Sequence, residues 1–408
     1  MNYLPLYIDP GTGSALFSIT IGIAAAVYFL VRGFIIKLKV FLFRREKISG
    51  SQHNYVIYAE DKSYWLFFVP ILDEFETRQT EVLYLTASVD DPVFSSNYNY
   101  IKGKYIGQGN KAFAYLNFLS ADIVLATTPD LDVLQWKRSK NVKHYCHIIH
   151  AASGSLLYRL FSLDYYDSIL LSGENEIPEI RFLERTRNLP EKQLAVVGNT
   201  FFDICSEKIK HIPNEENHPF TVLVSPSWGS SALLNVYGEK LIDPLVKTGW
   251  RIIIRPHPQS AIAEKPMLDR LVELYKDNPN IEWDYSHENI HSMSKSDIMI
   301  SDFSGIIYDY VFLFNRPVML NLQRHDLRLY DAHNLEQEPS YIQNLKKIGM
   351  ELDESQFDSI RNTISSLVHN NELYNNRQEV KKLMWHYQGE SGKRIVDFMT
   401  KTITNGGS

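Results

Sequence analysis

Cysteine is nearly absent from this chain. Its 408 residues include only Cys146 and Cys205, set in separate apolar contexts. Two isolated thiols exclude a disulfide-stapled scaffold and a paired-cysteine zinc site, and they fit a reducing, cytoplasmic compartment. An excess of basic charge is missing too. Forty-two Lys and Arg stand against 48 Asp and Glu, a formal net charge of −6, which excludes a nucleic-acid binder working through overall electrostatics. There is no P-loop, G-x-G-x-x-G, H-E-x-x-H or paired C-x-x-C motif, no internal repeat and no low-complexity tract. The remainder is ordinary globular composition, 44% hydrophobic and 22% charged, enough for a sizeable core in each of two domains. Aromatic content is 12%, which reads as core and interface packing ahead of a carbohydrate platform.

Positive charge is also lacking before the first apolar run. Ala15 to Val31 is broken only by Ser18, Thr20 and Gly22, and no Lys or Arg precedes it. After it come Arg32, Lys37, Lys39, Arg44, Arg45 and Lys47, against Glu46 alone. A signal peptide carries its charge before the apolar stretch and ends in a small-residue cleavage site. Here the order is reversed, and the run is about the length of a bilayer span. The expectation is one transmembrane helix within residues 1–50, with the N-terminus outside and the body on the cytoplasmic face of a bacterial inner membrane. Phe34 to Phe43 is apolar and basic enough to lie along the membrane surface. The alternative is a buried N-terminal helix of a soluble domain.

Beyond a polar linker at Ile48 to Asn54, apolar strand patterns alternate with helical ones. Strands are expected at Tyr55–Ala59, Glu81–Ala87, Ile123–Thr127, His144–His150, Ser168–Ser172 and Leu194–Val197. The polar stretch His211 to Pro219 is the best boundary. The alternation restarts at Thr221–Val224, Arg251–Ile254, Ile281–Trp283, Ile298–Ile300 and Pro317–Leu320. Helices are expected between them, one over Ala261–Asp277, with two or three more from Glu354 to Ile403. Such alternation predicts α/β architecture with mostly parallel sheets. The division is two Rossmann-like domains, 51–210 and 219–403, with ligand bound in the cleft outside the carboxyl ends of the strands.

Several strand ends carry chemistry. Ser301-Asp302-Phe303-Ser304-Gly305 separates an apolar strand from a helical pattern that starts at Ile306. That turn aims backbone N–H groups and small hydroxyls at one point, and the helix dipole adds partial positive charge there, so Ser301, Ser304 and Gly305 form a candidate phosphate site. Asp302 and Asp309 orient hydroxyls or cap the turn. Ser225 to Ser231, with Ser227 and Gly229, is a second small, hydroxyl-rich loop suited to backing a phosphate. Arg255-Pro256-His257-Pro258 ends another strand. Its prolines stiffen the loop, and His257 or Arg255 can meet charge on a departing nucleotide. His150 ends a strand and opens the small-residue loop 151–155, where a neutral imidazole suits general-base removal of a hydroxyl proton. Gly198-Asn199 reads as a sharp turn. Asp130-Leu131-Asp132 reads as a helix cap at Asp130 rather than as a metal site, and no metal is expected.

In this order the landmarks resemble the CDP-glycerol glycerophosphotransferase family, the teichoic-acid primase and polymerase group, over roughly residues 145–400. Lys295-Ser296-Asp297, Asp302 to Tyr310 and Asn315 to Val318 are similar to the family's "SD…TDYSS…DY…RP" run. Arg255 to Pro258 matches its second histidine motif, and Tyr387 to Ile395 its closing signature. His150 stands where the family has "WHG", with Ile149 and Ala151 in place of the tryptophan and glycine, and Gly305 replaces the second serine of the phosphate turn. Val197 to Thr200 also resembles nucleotide-sugar 2-epimerases. The resemblance implies the two-domain glycosyltransferase-B architecture. It implies transfer of glycerol phosphate, or a similar alcohol phosphate, from CDP-glycerol to a hydroxyl of a membrane-linked glycan. His150 would be the base, His257 the partner of the pyrophosphate and Ser304 a phosphate ligand, with no cofactor besides the donor. The alternatives are a nucleotide-sugar glycosyltransferase or epimerase, and an inactive glycan-binding member.

Overall fold

The computed structural model describes residues 52–405 apart from 152, 214–217, 287 and 323–325, together with 27, 28 and 31. The expected span Ala15–Val31 lies outside the described residues except at those three positions, which are helical and exposed. Phe34 to Phe43 lies outside them altogether. Among the described residues, no helix is long and apolar enough to cross a membrane.

Seven strands form the first sheet: β1 His53–Ala59, β2 Val82–Thr86, β3 Ile101–Tyr105, β4 Ser120–Ala126, β5 Asn141–Ile148, β6 Ser168–Leu171 and β7 Gln193–Val196. Six form the second: β8 Thr221–Val224, β9 Arg251–Ile254, β10 Ile281–Trp283, β11 Ile298–Ser301, β12 Val318–Leu320 and β13 Met350–Glu351. Their spatial orders are β3-β2-β1-β4-β5-β6-β7 and β10-β9-β8-β11-β12-β13, and every pairing is parallel. The chain is thus an α/β protein with two Rossmann-like lobes. Strand order reverses between β1 and β4 and again between β8 and β11, and a crevice opens at each such point.

Both faces of each sheet are covered, which is why the strands are continuous apolar runs. Along β4, Ile123 and Leu125 face one buried cluster while Val124 and Ala126 face another. Along β8, Leu223 faces one cluster and Val222 and Val224 the other. Register then places the strand ends. Val224 pairs with Ile254 on one side and Ile300 on the other. The loops beginning at Ser225, Arg255 and Ser301 therefore leave the second sheet side by side.

Some elements differ from expectation. β3 reads Ile-Lys-Gly-Lys-Tyr and has no apolar alternation. It is an edge strand whose Lys102 and Lys104 are exposed, a composition that discourages further pairing. β13, two residues long, has no detectable pattern. The helix expected over Ala261–Asp277 is two, Ser260–Ala263 and Lys265–Tyr275, broken at Glu264 with Pro266 in the first turn of the second. Asp130 caps no helix. It adopts φ +65° in a turn and accepts a hydrogen bond from Ser162 Oγ. The final helix, Ser391–Asn405, departs from the 219–403 grouping. Its Ile395, Val396 and Met399 are buried in the first lobe's core. Gly392 permits this crossing, since a Cβ there would stand 2.3 Å from the carbonyl oxygen of Pro70 in the helix Trp65–Thr77.

Candidate active site

The first lobe contributes an aromatic wall. His150 follows β5, and its ring meets Tyr64 edge-on at 5.0 Å and stacks on Tyr158 at 5.9 Å, with Phe67 6.5 Å away. Its Nδ1 is 3.2 Å from Tyr158 Oη. When Nδ1–H donates to that oxygen, Nε2 keeps its lone pair. Burial lowers the pKa of His150 to about 4, so the ring is neutral near pH 7. Behind it His147 is fully buried, packed against Tyr158 and Tyr166, and its pKa also lies well below the usual histidine value because of desolvation.

The second lobe contributes a polar cradle built by clamps. The Asp302 carboxylate is buried and accepts the Ser227 N–H (2.9 Å) and the Leu233 N–H (2.9 Å). It therefore ties the loop after β8 to the turn after β11. Burial raises its pKa, and those donors offset part of the rise. Ser301 Oγ donates to the Ser225 carbonyl at 2.6 Å and so reinforces the same junction. Arg255 is committed to a carboxylate. Its guanidinium pairs with Asp284 at 2.5 Å and reaches the Ser286 carbonyl at 2.7 Å. Asp284 is further held by Ser286 and Ser292; these bonds and Arg255 outweigh burial and keep its pKa near 2.

His257 stands free of these clamps. Its Nδ1 accepts the Gln259 N–H at 3.1 Å, which leaves Nε2 as the protonated nitrogen of the neutral ring, able to donate. Burial lowers its pKa, opposed by the Asp302 and Glu264 carboxylates. The exposed indole of Trp228 stacks at 6.4 Å on the ring. Gly229, at φ +99°, donates its N–H to Glu264 at 2.7 Å.

The turn itself opens the helix Ile306–Phe314. The first N–H groups of a helix have no intrahelical acceptor. Ile307 and Tyr308 already bond back to Ser304 and Gly305, so Ser304, Gly305 and Ile306 present the N–H groups that remain. Gly305 also faces the opposite lobe, and a Cβ there would lie 3.5 Å from Ser153 Oγ. The loop that carries His150 and the phosphate turn thus meet across the crevice. Asp309 is directed elsewhere. Burial raises its carboxyl to about 7, and the Asn289 side chain bonds to it.

Ser304 and Gly305 lie where the two lobes meet, and Ser227 and His257 stand on the neighbouring loops of the second sheet. Ser301, Asp302 and Arg255 build the walls, and Asp309 fixes the helix from behind. Sequence reasoning passed over Tyr64, Tyr158 and Trp228, which surround the two imidazoles, because isolated aromatics in a chain rich in them carry no signal. Gly198-Asn199 is a sharp turn: Gly198 has φ +91°, and Asn199 caps the helix Thr200–Lys210 by accepting the Phe202 N–H.

Residues 221–401 match the CDP-glycerol:poly(glycerophosphate) glycerophosphotransferase family. The matched stretch of this glycerophosphotransferase family contains His257, the small-residue loop 225–231 and the phosphate turn; His150 and the loop 151–155 lie before it. No curated protein matches in sequence. Among solved structures, the wall teichoic acid polymerase TagF is similar with a TM-score of 0.58 at 14% identity, over 92% of this chain and 98% of that one. A UDP-GlcNAc 2-epimerase from Neisseria meningitidis bound to UDP-GlcNAc gives 0.52 at 16% identity, over 86% and 100%. The UDP-GlcNAc 2-epimerase of Methanocaldococcus jannaschii gives 0.53 at 13%, over 86% and 100%. At such identities the likeness is one of fold, the two-lobed architecture with a crevice between the sheets.

Proposed function

We propose that this chain is a glycerophosphotransferase that moves glycerol phosphate from CDP-glycerol to a hydroxyl of a membrane-linked glycan. The observation that carries the reading is the meeting of the His150 loop with the Ser304–Gly305 turn, the turn itself lying inside a stretch that matches a family of that activity.

The donor diphosphate lies at the N-terminus of the helix Ile306–Phe314, held by the Ser304, Gly305 and Ile306 N–H groups. The acceptor hydroxyl attacks the β-phosphorus. Its oxygen forms the new P–O bond while its proton passes to His150 Nε2. The bond between the β-phosphorus and the bridging oxygen breaks, and CMP leaves with that oxygen. His257 Nε2–H and the helix terminus meet the charge on the departing CMP. A histidine with pKa about 4 is a weak base in the empty crevice. A bound diphosphate favours imidazolium and raises that value, so the proton is drawn off only when the donor is present. No metal is required by this scheme.

The apolar run Ala15–Val31 with its basic flank supports a single-span anchor that keeps the crevice at the inner leaflet, close to a lipid-linked acceptor. Fractionation of cells expressing the full chain and a form lacking residues 1–50 tests it: the full chain sediments with membranes and the shortened one less so.

Because the fold is shared with 2-epimerases, the deciding experiment is a donor panel. Purified protein is incubated separately with CDP-glycerol and UDP-GlcNAc in the presence of a glycan acceptor. CMP release from CDP-glycerol alone is expected. Epimerised or transferred N-acetylglucosamine would replace the reading with the nucleotide-sugar one. Nucleotide binding without turnover of either would leave a glycan-binding protein.

A further inference from the structure

One helix joins the loop that carries His150 to the second lobe. Glu176 immediately precedes the helix Ile177–Thr186 without capping it by its side chain, is buried, and accepts two hydrogen bonds from Ser155 on a single oxygen: N–H to Oε2 at 2.6 Å and Oγ–H to Oε2 at 2.7 Å. The preceding Gly154 has φ +87°, and a Cβ there would stand 2.5 Å from the Glu176 carboxylate, so the loop closes on Glu176 only with glycine at that position. One turn further on, Glu179 repeats the pattern across the crevice. It accepts the Ser340 N–H at 2.5 Å and Oγ–H at 2.7 Å. At the far end Arg187 pairs with Asp331 of the second lobe at 2.5 Å and Asp164 of the first at 2.7 Å, while Asp331 also accepts the Phe161 N–H at 2.9 Å.

We propose that Glu176 is a positioning residue. It fixes the loop 151–155 so that His150 and Ser153 face the phosphate turn, while Glu179 on the same helix pins the second lobe in register with that loop. Ser155 is buried, so without the carboxylate its N–H and hydroxyl have no water to turn to and the loop must move to satisfy them. Ser153 is two residues away and opposes Gly305. A displacement of about 1 Å between base and phosphate costs on the order of a hundredfold in rate. The inference rests on the transfer reaction proposed above.

The test uses the full chain and the variants E176A, E176Q and S155A. It measures hydrogen exchange of the peptide spanning 151–155, CDP-glycerol affinity by calorimetry, and turnover. E176A is expected to exchange about tenfold or more faster in that peptide and to lose about ten- to a hundredfold in kcat, with Kd for the donor within about twofold because the second lobe holds the diphosphate. E176Q should recover most of the loss, since both bonds end on one oxygen that an amide supplies. S155A should fall between. Unchanged exchange and kcat in E176A would overturn the proposal. So would a parallel loss of melting temperature, kcat and affinity without rescue by E176Q, which is general destabilisation. Should E176A fail to fold, S155A and E176Q decide alone, and equal kcat and exchange in S155A and wild type would overturn it. A wild type that never turns over CDP-glycerol defeats the proposed function, while the exchange data still decide the clamp.

Discussion

The two lobes share a topology but furnish their crevice edges differently. At the first lobe His150 is enclosed by Tyr64, Phe67 and Tyr158, with His147 behind it. At the second, Asp302, Ser301, Arg255 and Asp284 bond to backbone and to one another and leave N–H groups facing outward. An apolar enclosure strips water from an imidazole and keeps it neutral. A clamped polar edge holds donors in place at no cost of reorganisation when charge develops. In the proposed reaction the same sheet order serves a proton acceptor on one side and an anion cradle on the other.

The largest expected effect separates these roles. His150→Ala should lower turnover by about two orders of magnitude or more, with nucleotide affinity unchanged, because the aromatic wall takes no part in holding the diphosphate. His257→Ala should cost about two orders of magnitude as well, but with weaker CMP binding. Rates and calorimetry on both variants decide it. If H150A loses nucleotide and H257A does not, the assignment of lobes is reversed.

Next comes Asp302→Ala, which leaves the buried Ser227 and Leu233 N–H groups without their acceptor. A buried unsatisfied group costs about 1–3 kcal/mol, so two should lower the denaturation midpoint by the equivalent of about 2–6 kcal/mol, and the cradle should loosen with it. Asp302→Asn keeps one acceptor oxygen and should lose less. No comparable stability loss is expected from His150→Ala beyond that of a trimmed aromatic contact.

This contrast also explains what could be read from sequence. The strands of both lobes were legible because both faces of each sheet are buried and the apolar runs are unbroken. β3 was not, since an edge strand with lysines outward has the composition of a loop. In the site, Ser304, Gly305 and His257 were legible because a small polar turn between strand and helix, or a proline-framed histidine, has a local pattern. Arg255 and Asp302 have patterns equally local, yet their partners Asp284 and Ser227 lie 29 and 75 residues away, and only the fold makes them walls. Glu176 had no signal at all, because an acidic residue at a helix start ordinarily serves the dipole. The crossing of Ser391–Asn405 back to the first lobe depends on the contact between Gly392 and Pro70, which no sequence spacing encodes.

A smaller effect sets the lobes side by side through pH. Each carries one buried carboxyl raised by desolvation to about 7: Glu176 in the first lobe and Asp309 in the second. Their unfolded values are 4.5 and 3.8. A carboxyl whose folded pKa is raised binds its proton more tightly in the native state. Its stabilisation is full below the unfolded value and is lost as pH rises through the folded one. The carboxyl contribution to the melting temperature should therefore decline between about pH 4 and pH 7, by several degrees, against the opposite trend from His147 and His150, whose values burial lowers. Asp309→Asn should flatten part of that decline and leave the portion due to Glu176. An equally steep profile in D309N would place the whole dependence in the first lobe.

The smallest expected change concerns an exposed aromatic at the polar edge. Trp228 is 49% exposed and stacks on His257, whereas the rings around His150 are packed on several sides. Half of the indole already meets water, so its removal opens no cavity and Trp228→Ala should leave the melting temperature within about 1 °C. The Gln259 N–H still fixes the His257 tautomer, so kcat should fall by less than about tenfold, through looser orientation of a ring that keeps its hydrogen bond. Tyr158→Phe at the other edge removes the hydrogen-bond partner of His150 Nδ1 and should cost more. If W228A proves the more damaging of the two, the second lobe depends on aromatic support as the first does, and the division between a dry edge and a polar one fails.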